Sequence, residues 1–214
     1  MSEAQLIPAR RLETEFIEIN SRFITSASPA FSVEEAREFI AEIKKKYPDA
    51  THHVPVYLIG HGQSTIAHSS DDGEPSGTAG RPALAVLKGS GLGDIVIVIT
   101  RYFGGTKLGT GGLVKAYSDS VRLLLDEMPL ARKVATTTIM FVISYAHFEQ
   151  TSLLVRNHFG LVKETAYGAD VTMTVRLADQ HLDSFKDKMM TLTRGNFDTI
   201  TLEKRENTIL PLVR

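Results

Sequence analysis

Apolar positions recur along this chain at two periods, every second residue in some stretches and every third or fourth in others, so strands and helices alternate. Thr14 to Ile19 and Arg22 to Thr25 mix apolar and polar residues in short extended runs and predict the first two strands. Ser32 to Glu35 has the form of a capping box; Val33, Ala36, Phe39, Ile40 and Ile43 follow at helical spacing until Pro48 forbids continuation. Val54 to Ile59 and Ser64 to His68 flank the turn signal Gly60 to Gln63, a predicted hairpin. Ala79 to Leu87 reads as a short helix. Ile95 to Thr100 is β-branched and apolar on both faces, which predicts a buried strand. Leu113, Val114, Tyr117, Val121, Leu124, Leu125 and Met128 share one helical face, and Pro129 ends that helix.

Beyond Arg132 the order changes. Val134 to Ser144 is a predicted strand, Phe148 to His158 a helix, and Leu161 to Ala166 and Asp170 to Leu177 two strands joined at Tyr167 to Ala169. Asp179 caps a helix that Gly195 ends, and Phe197 to Leu202 is the last strand. This is the β-α-β-β-α-β, or ferredoxin-like, order. The expected fold class is therefore α+β with two domains, residues 1–133 and 134–214, and a boundary near 130 to 135.

A chain of 214 residues, 43% hydrophobic and 23% charged, has the composition of an ordinary globular protein. It has no cysteine, which excludes disulfides, thiolate nucleophiles and thiolate metal sites and suits a reducing, cytoplasmic setting. The first residues lack the apolar core of a signal peptide, and the longest aliphatic run, Ile95 to Ile99, is too short to span a bilayer, so no membrane role is expected. Net charge is −1, with an isoelectric point near 6.7. Neither half is basic, so RNA binding would need a local patch.

The glycines supply that locality. Thirteen of the sixteen lie between Gly60 and Gly112. Such density is expected where the chain takes positive φ or lets another molecule approach its amides. A buried strand, a glycine-rich loop and a helix present unpaired amides to an anion, and Arg101, Lys107 and Lys115 add cationic side chains; a phosphate or sulfate ion is the natural guest. The nucleotide motifs fail: Gly104 to Gly109 is followed by Thr110 where a Walker loop has G-K-[ST], and Gly109 to Val114 lacks the last glycine of G-x-G-x-x-G. Tyr102 and Phe103, beside Gly104 and Gly105, either stack on bases or a partner or pack under the loop.

Asp71, Asp72 and Glu74 place three carboxylates in a turn that can hold Mg²⁺ with a phosphate, although Asx turn chemistry explains Asp72 without a metal. His52, His53, His61 and His68 lack the spacing of a zinc set, and Gly60 to Ser64 is not G-x-S-x-G, so no metal ligand, catalytic residue or cofactor is assigned.

The blocks S-D-D-G-E-P-S-G-T-A-G-R-P (Ser70 to Pro82) and V-I-T-R-Y-F-G-G-T-K-L-G-T-G-G-L-V-K-A-Y (Val98 to Tyr117), preceded by D-A-T-H (Asp49 to His52), closely resemble the YigZ/IMPACT family, in its bacterial two-domain form. The family's N-terminal domain covers roughly residues 15 to 125 here. It implies a first domain similar to the second domain of ribosomal protein S five, followed by a ferredoxin-like domain similar to those of elongation factor G. Eukaryotic members resemble translational regulators that compete for the activator of a starvation kinase and associate with ribosomes. What the resemblance implies here is a cytoplasmic binding protein of RNA, the ribosome or a translation factor. The expected surface comprises Asp71, Asp72, Gly73, Glu74, Ser76, Gly77, Thr78 and Arg81 from the first block. The second block contributes Arg101, Tyr102, Phe103, Gly104, Gly105, Lys107, Gly109, Gly111, Gly112 and Lys115. The alternative is an enzyme on a phosphorylated small molecule, with Asp71, Asp72 or Glu74 as base or metal ligand; a third reading is a purely protein-binding module.

Overall fold

The computed structural model describes residues 6–211, so the signal-peptide reading of the first five residues lies outside the described residues. Two compact units emerge, one of residues up to Arg132 with those from Ile209, the other Lys133–Thr208.

In the first unit the elements run β1 (Leu6–Pro8), β2 (Leu12–Glu18), β3 (Ser21–Pro29), α1 (Val33–Lys46), β4 (His52–Ile59), β5 (Ile66–Ser69), α2 (Gly80–Gly89), β6 (Ile95–Tyr102) and α3 (Gly109–Glu127). Five strands form one sheet in the order β2-β3-β6-β4-β5, each neighbour antiparallel. The central β6 shows why both its faces are apolar. Ile95, Ile97 and Ile99 meet Ala83 and Leu87 of α2 and Leu113, Tyr117, Val121 and Leu124 of α3, whereas Val96 and Val98 meet Phe39 and Ile43 of α1. Full burial of one such side chain stabilises by about 1.5–3 kcal/mol. Ser32 caps α1 as expected, its Oγ accepting from the Glu35 amide at 3.1 Å, while Glu35 reaches back to the Phe31 amide at 2.8 Å.

The second unit takes its first strand from β7 (Leu130–Ile143), then α4 (Phe148–Asn157), β8 (Leu161–Tyr167), β9 (Val171–Ala178), α5 (Asp179–Leu192) and β10 (Ile200–Pro211). Pairing gives β10-β7-β9-β8, the order of a ferredoxin-like sheet. Ile139, Phe141, Val171, Met173 and Val175 pack against Val155, Phe185 and Met189 of the two helices. The fold is α+β, as the alternation of periods implies.

Several boundaries differ from expectation. Strand β3 runs to Pro29, because Ser26, Ala27 and Ser28, weak strand formers, are held by pairing to β6. Helix α3 starts at Gly109, four residues before Leu113, so Gly111 and Gly112 are helical. Asp179 does not cap α5; it is the first helical residue, and its carboxylate accepts from Thr137 Oγ1 at 2.7 Å. Phe197 precedes β10 and fills the core.

Candidate binding surface

The first glycine-rich block folds onto its own carboxylates. Asp71 accepts from the amides of Gly77 (2.8 Å), Ala79 (3.1 Å) and Gly80 (2.8 Å), so the anion at the start of α2 is this side chain. Burial pushes the Asp71 carboxyl up, but those amides and the Arg81 charge outweigh it and hold it below the usual carboxylate range. Asp72 accepts from the His53 amide at 2.7 Å and from Lys44 Nζ at 2.9 Å; burial raises it, and these two partners bring it low. Gly80 is glycine for a packing reason: a Cβ there would stand 2.7 Å from the Ser70 carbonyl oxygen.

Glu74 turns inward. Its Oε1 accepts from Arg101 Nη1 at 2.6 Å and from the Tyr117 hydroxyl at 2.8 Å, with His52 Nε2 at 3.8 Å. Arg101, expected on the surface as a phosphate contact, is buried at 5% exposure; Nη2 donates to Ser21 Oγ at 3.2 Å, and the guanidinium carbon lies 5.5 Å from the Phe23 ring centre and 5.6 Å from that of Phe103. Burial, with the Glu74 charge beside it, pushes the Tyr117 hydroxyl far above its ordinary range. One short block thereby joins β6 and α3. Thr78 is buried and bonds the Pro75 carbonyl, while Ser76 and Arg81 are exposed.

The second block behaves differently. Tyr102 is tied down, its hydroxyl donating to Asp49 at 2.9 Å, while Phe103 is 46% exposed. Gly104 lies against the Ile19–Asn20 turn so closely that any Cβ would collide with the Asn20 carbonyl. From Gly105 to Lys107 the chain is exposed, as are Gly109, Gly111 and Lys115. The residue before α3, Leu108, offers its first turn no side-chain acceptor. Lys115 bonds Asp119 at 3.0 Å, which Arg122 also bonds at 2.6 Å.

The four histidines have separate partners. His52 Nδ1 bonds the Asp72 carbonyl, His53 Nε2 that of Tyr47, His61 Nε2 that of Leu6, and His68 stacks on Tyr57. Among the described residues no three His, Asp or Glu side chains are grouped as metal ligands, and no helix is long and apolar enough to cross a membrane.

A model of the Impact N-terminal domain matches residues 19–125, and one of a domain of unknown function, DUF1949, matches residues 141–196. IMPACT family member YigZ of Escherichia coli (strain K12) is 36% identical over 203 residues, which is 94% of this chain and 100% of that protein. The chain belongs to the IMPACT family. IMPACT family member YvyE of Bacillus subtilis (strain 168) is 38% identical over 186 residues, covering 87% of this chain and 85% of YvyE. A solved structure titled "Crystal structure of an hypothetical protein" shares 35% identity, covers 95% of this chain and 99% of its own, and superposes with a TM-score of 0.61.

Both glycine-rich blocks fall inside the matched Impact domain. In this IMPACT-family chain they serve the surface unequally: the first supplies an internal brace and exposes Ser76 and Arg81, and the second exposes Phe103, Gly105, Lys107, Gly109, Gly111 and Lys115. Sequence reasoning missed Ser21 and Tyr117 as partners of the brace. Tyr117 reads as one more apolar position of α3, and only its hydroxyl, unaccounted for in a buried helix face, signals a polar partner.

Proposed function

We propose that this IMPACT-family chain is a regulatory binding protein of the translation apparatus, acting in the cytoplasm, and that its exposed run from Phe103 to Lys115 meets RNA, the ribosome or a translation factor. One observation carries the reading. Helix α3 opens on Gly109, Thr110, Gly111 and Gly112 with no side-chain cap, and nothing lies within 4 Å of where a Cβ would stand on Gly109 or Gly111. Amides at that turn are open to an anion, and Lys107 and Lys115 flank them. Phe103 offers a ring for stacking beside them. The resemblance to translational regulators within the family agrees with such a surface. Binding is favoured over catalysis on a phosphorylated substrate because Asp71, Asp72 and Glu74, the carboxylates available as base or metal ligand, are held by backbone amides, Lys44 and Arg101.

The test is recovery of the tagged full-length chain from growing cells, with and without nuclease, followed by anisotropy titrations of a labelled single-stranded RNA at several salt concentrations. Ribosomal or RNA partners are expected, and Lys107→Ala is expected to lower the salt slope by about one unit. Recovery of neither RNA nor translation proteins overturns the proposal.

A further inference from the structure

We infer that the groove between the outer faces of α2 and α3 is the seat of an acidic, aliphatic segment of a protein partner. The inference rests on the reading just given and narrows it, by naming the partner's chemistry and a second area of contact beside the Phe103 to Lys115 run.

Each of these helices carries residues on its outer side that the core leaves exposed or half-buried. On α2, Ala83 and Leu87 enter the core, which leaves Arg81, Pro82 and Ala85 on the outside, with Val86 half-buried between the core and the groove. On α3, Leu113, Ala116, Tyr117, Val121 and Leu124 enter the core, which leaves Val114 and Arg122, eight residues apart and so on one side of the helix. The two outer sides face each other across an open groove of about 580 Å³, a volume for a few side chains of one segment. Val114 is 38% exposed there, although its spacing groups it with the core residues.

Charge and shape select the occupant. Arg81 stands on one wall and Arg122 on the other; Arg81 makes no ion pair among the described residues, its nearest counter-charge Asp71 being engaged by three amides, and Asp119 is shared between Arg122 and Lys115, three cations to two anions. Cations therefore exceed anions along the groove, which favours an acidic guest. Its floor, made by Pro82, Ala85, Val86 and Val114, is aliphatic. No lining side chain is aromatic, so bases have nothing on which to stack, and a ribose-phosphate chain gains little from such a floor. An amphipathic helix with aliphatic anchors and flanking carboxylates satisfies both features.

The experiment places a photo-crosslinking p-benzoylphenylalanine at Ala85 in the full chain, and in a parallel arm at Phe103, in growing cells, with the adducts sequenced by mass spectrometry. From Ala85 the expected adduct lies on a net-negative, aliphatic segment of another protein. The double variant Arg81→Glu, Arg122→Glu, which also sets like charges beside Asp71 and Asp119, is expected to cut its yield about tenfold or more while circular dichroism shows the chain still folded at the temperature of the experiment. Arg81→Lys with Arg122→Lys, which keeps the charge, is expected to retain most of it. A nuclease-sensitive adduct, an adduct to a second copy of this chain, a basic segment, no adduct, or a yield indifferent to charge reversal overturns the inference. Adducts on translation components from Phe103 with none from Ala85 remove the groove and leave the broader reading standing. An acidic segment belonging to a protein outside translation does the reverse.

Discussion

Glu74 Oε1 lies 2.6 Å from Arg101 Nη1, with the two side chains 3% and 6% exposed. A loop that reads as a surface feature is thus anchored on a central strand. Glu74→Ala leaves a guanidinium buried without its counter-charge and is expected to destabilise the first unit by about 3–5 kcal/mol. Urea denaturation checks this. Glu74→Gln, which keeps an acceptor for the Tyr117 hydroxyl, is expected to lose less, and a Glu74→Ala protein that unfolds with the wild type would remove the pair from the account of the fold.

Asp71 is a second anchor, and its contribution depends on pH. Because its folded-state pKa is depressed, its stabilisation is complete above the unfolded value, near 3.9 for an aspartate, and is lost as pH falls through the folded value. Asp71→Ala is expected to cost about 2 kcal/mol at neutral pH. The gap to wild type is expected to close as the pH drops below about 4. Thermal melts at pH 7, 5 and 3 measure it; a constant gap would mean that the charge plays no part.

The glycines divide into those the fold requires and those it does not. Gly104→Ala drives a methyl into the Asn20 carbonyl and is expected to destabilise by about 1–3 kcal/mol. Gly111→Ala meets nothing within 4 Å, lies in a helix and is expected to stabilise by about 0.5–1 kcal/mol. The same change is expected to weaken binding of RNA or protein at the start of α3, because the methyl stands where a partner approaches. Stability and affinity measured on one Gly111→Ala preparation separate the two effects, and unchanged affinity would count against that surface.

The β2–β3 turn carries strain beside the same surface. Ile19 sits at φ 44° and Asn20 at φ 65°, and Ile19 is 54% exposed. A β-branched side chain is disfavoured in this region of backbone space. Ile19→Gly is expected to raise the unfolding midpoint, by about 1 kcal/mol in free energy. A destabilised variant would show that the isoleucine makes contacts that outweigh its strain.

Periodicity made most of the architecture readable because each stripe of apolar residues had a sheet face to meet. The element types of the first unit and the ferredoxin-like order of the second follow from segments such as Ile95 to Thr100 and Phe148 to His158, whose patterns agree with their packing, whereas the strand order of the first sheet is seen only in the structure. What stayed hidden was the destination of polar groups. Arg101 and Lys107 are six residues apart and look alike as cations near glycines, yet one is buried against Glu74 and the other is exposed. Pairing to a residue 27 positions away has no local signature. The start of α3 is hidden for a related reason: glycine disfavours helix, and the tertiary packing of Leu113, Tyr117 and Val121 is what carries that helix back through Gly109. Val114 failed in the opposite sense, since its spacing fits the core while the neighbouring helix leaves it at a groove.

The closure of the first block on Asp71 changes how such a sequence behaves in time. A run with the composition of a tether acts as a strut: the amide hydrogens of Gly77, Ala79 and Gly80, locked on one carboxylate, are expected to exchange with deuterium more slowly than those of the exposed Gly105 and Thr106. A visitor to this side of the molecule meets a frame already braced, and what it has left to order is the short Gly105 to Lys107 stretch.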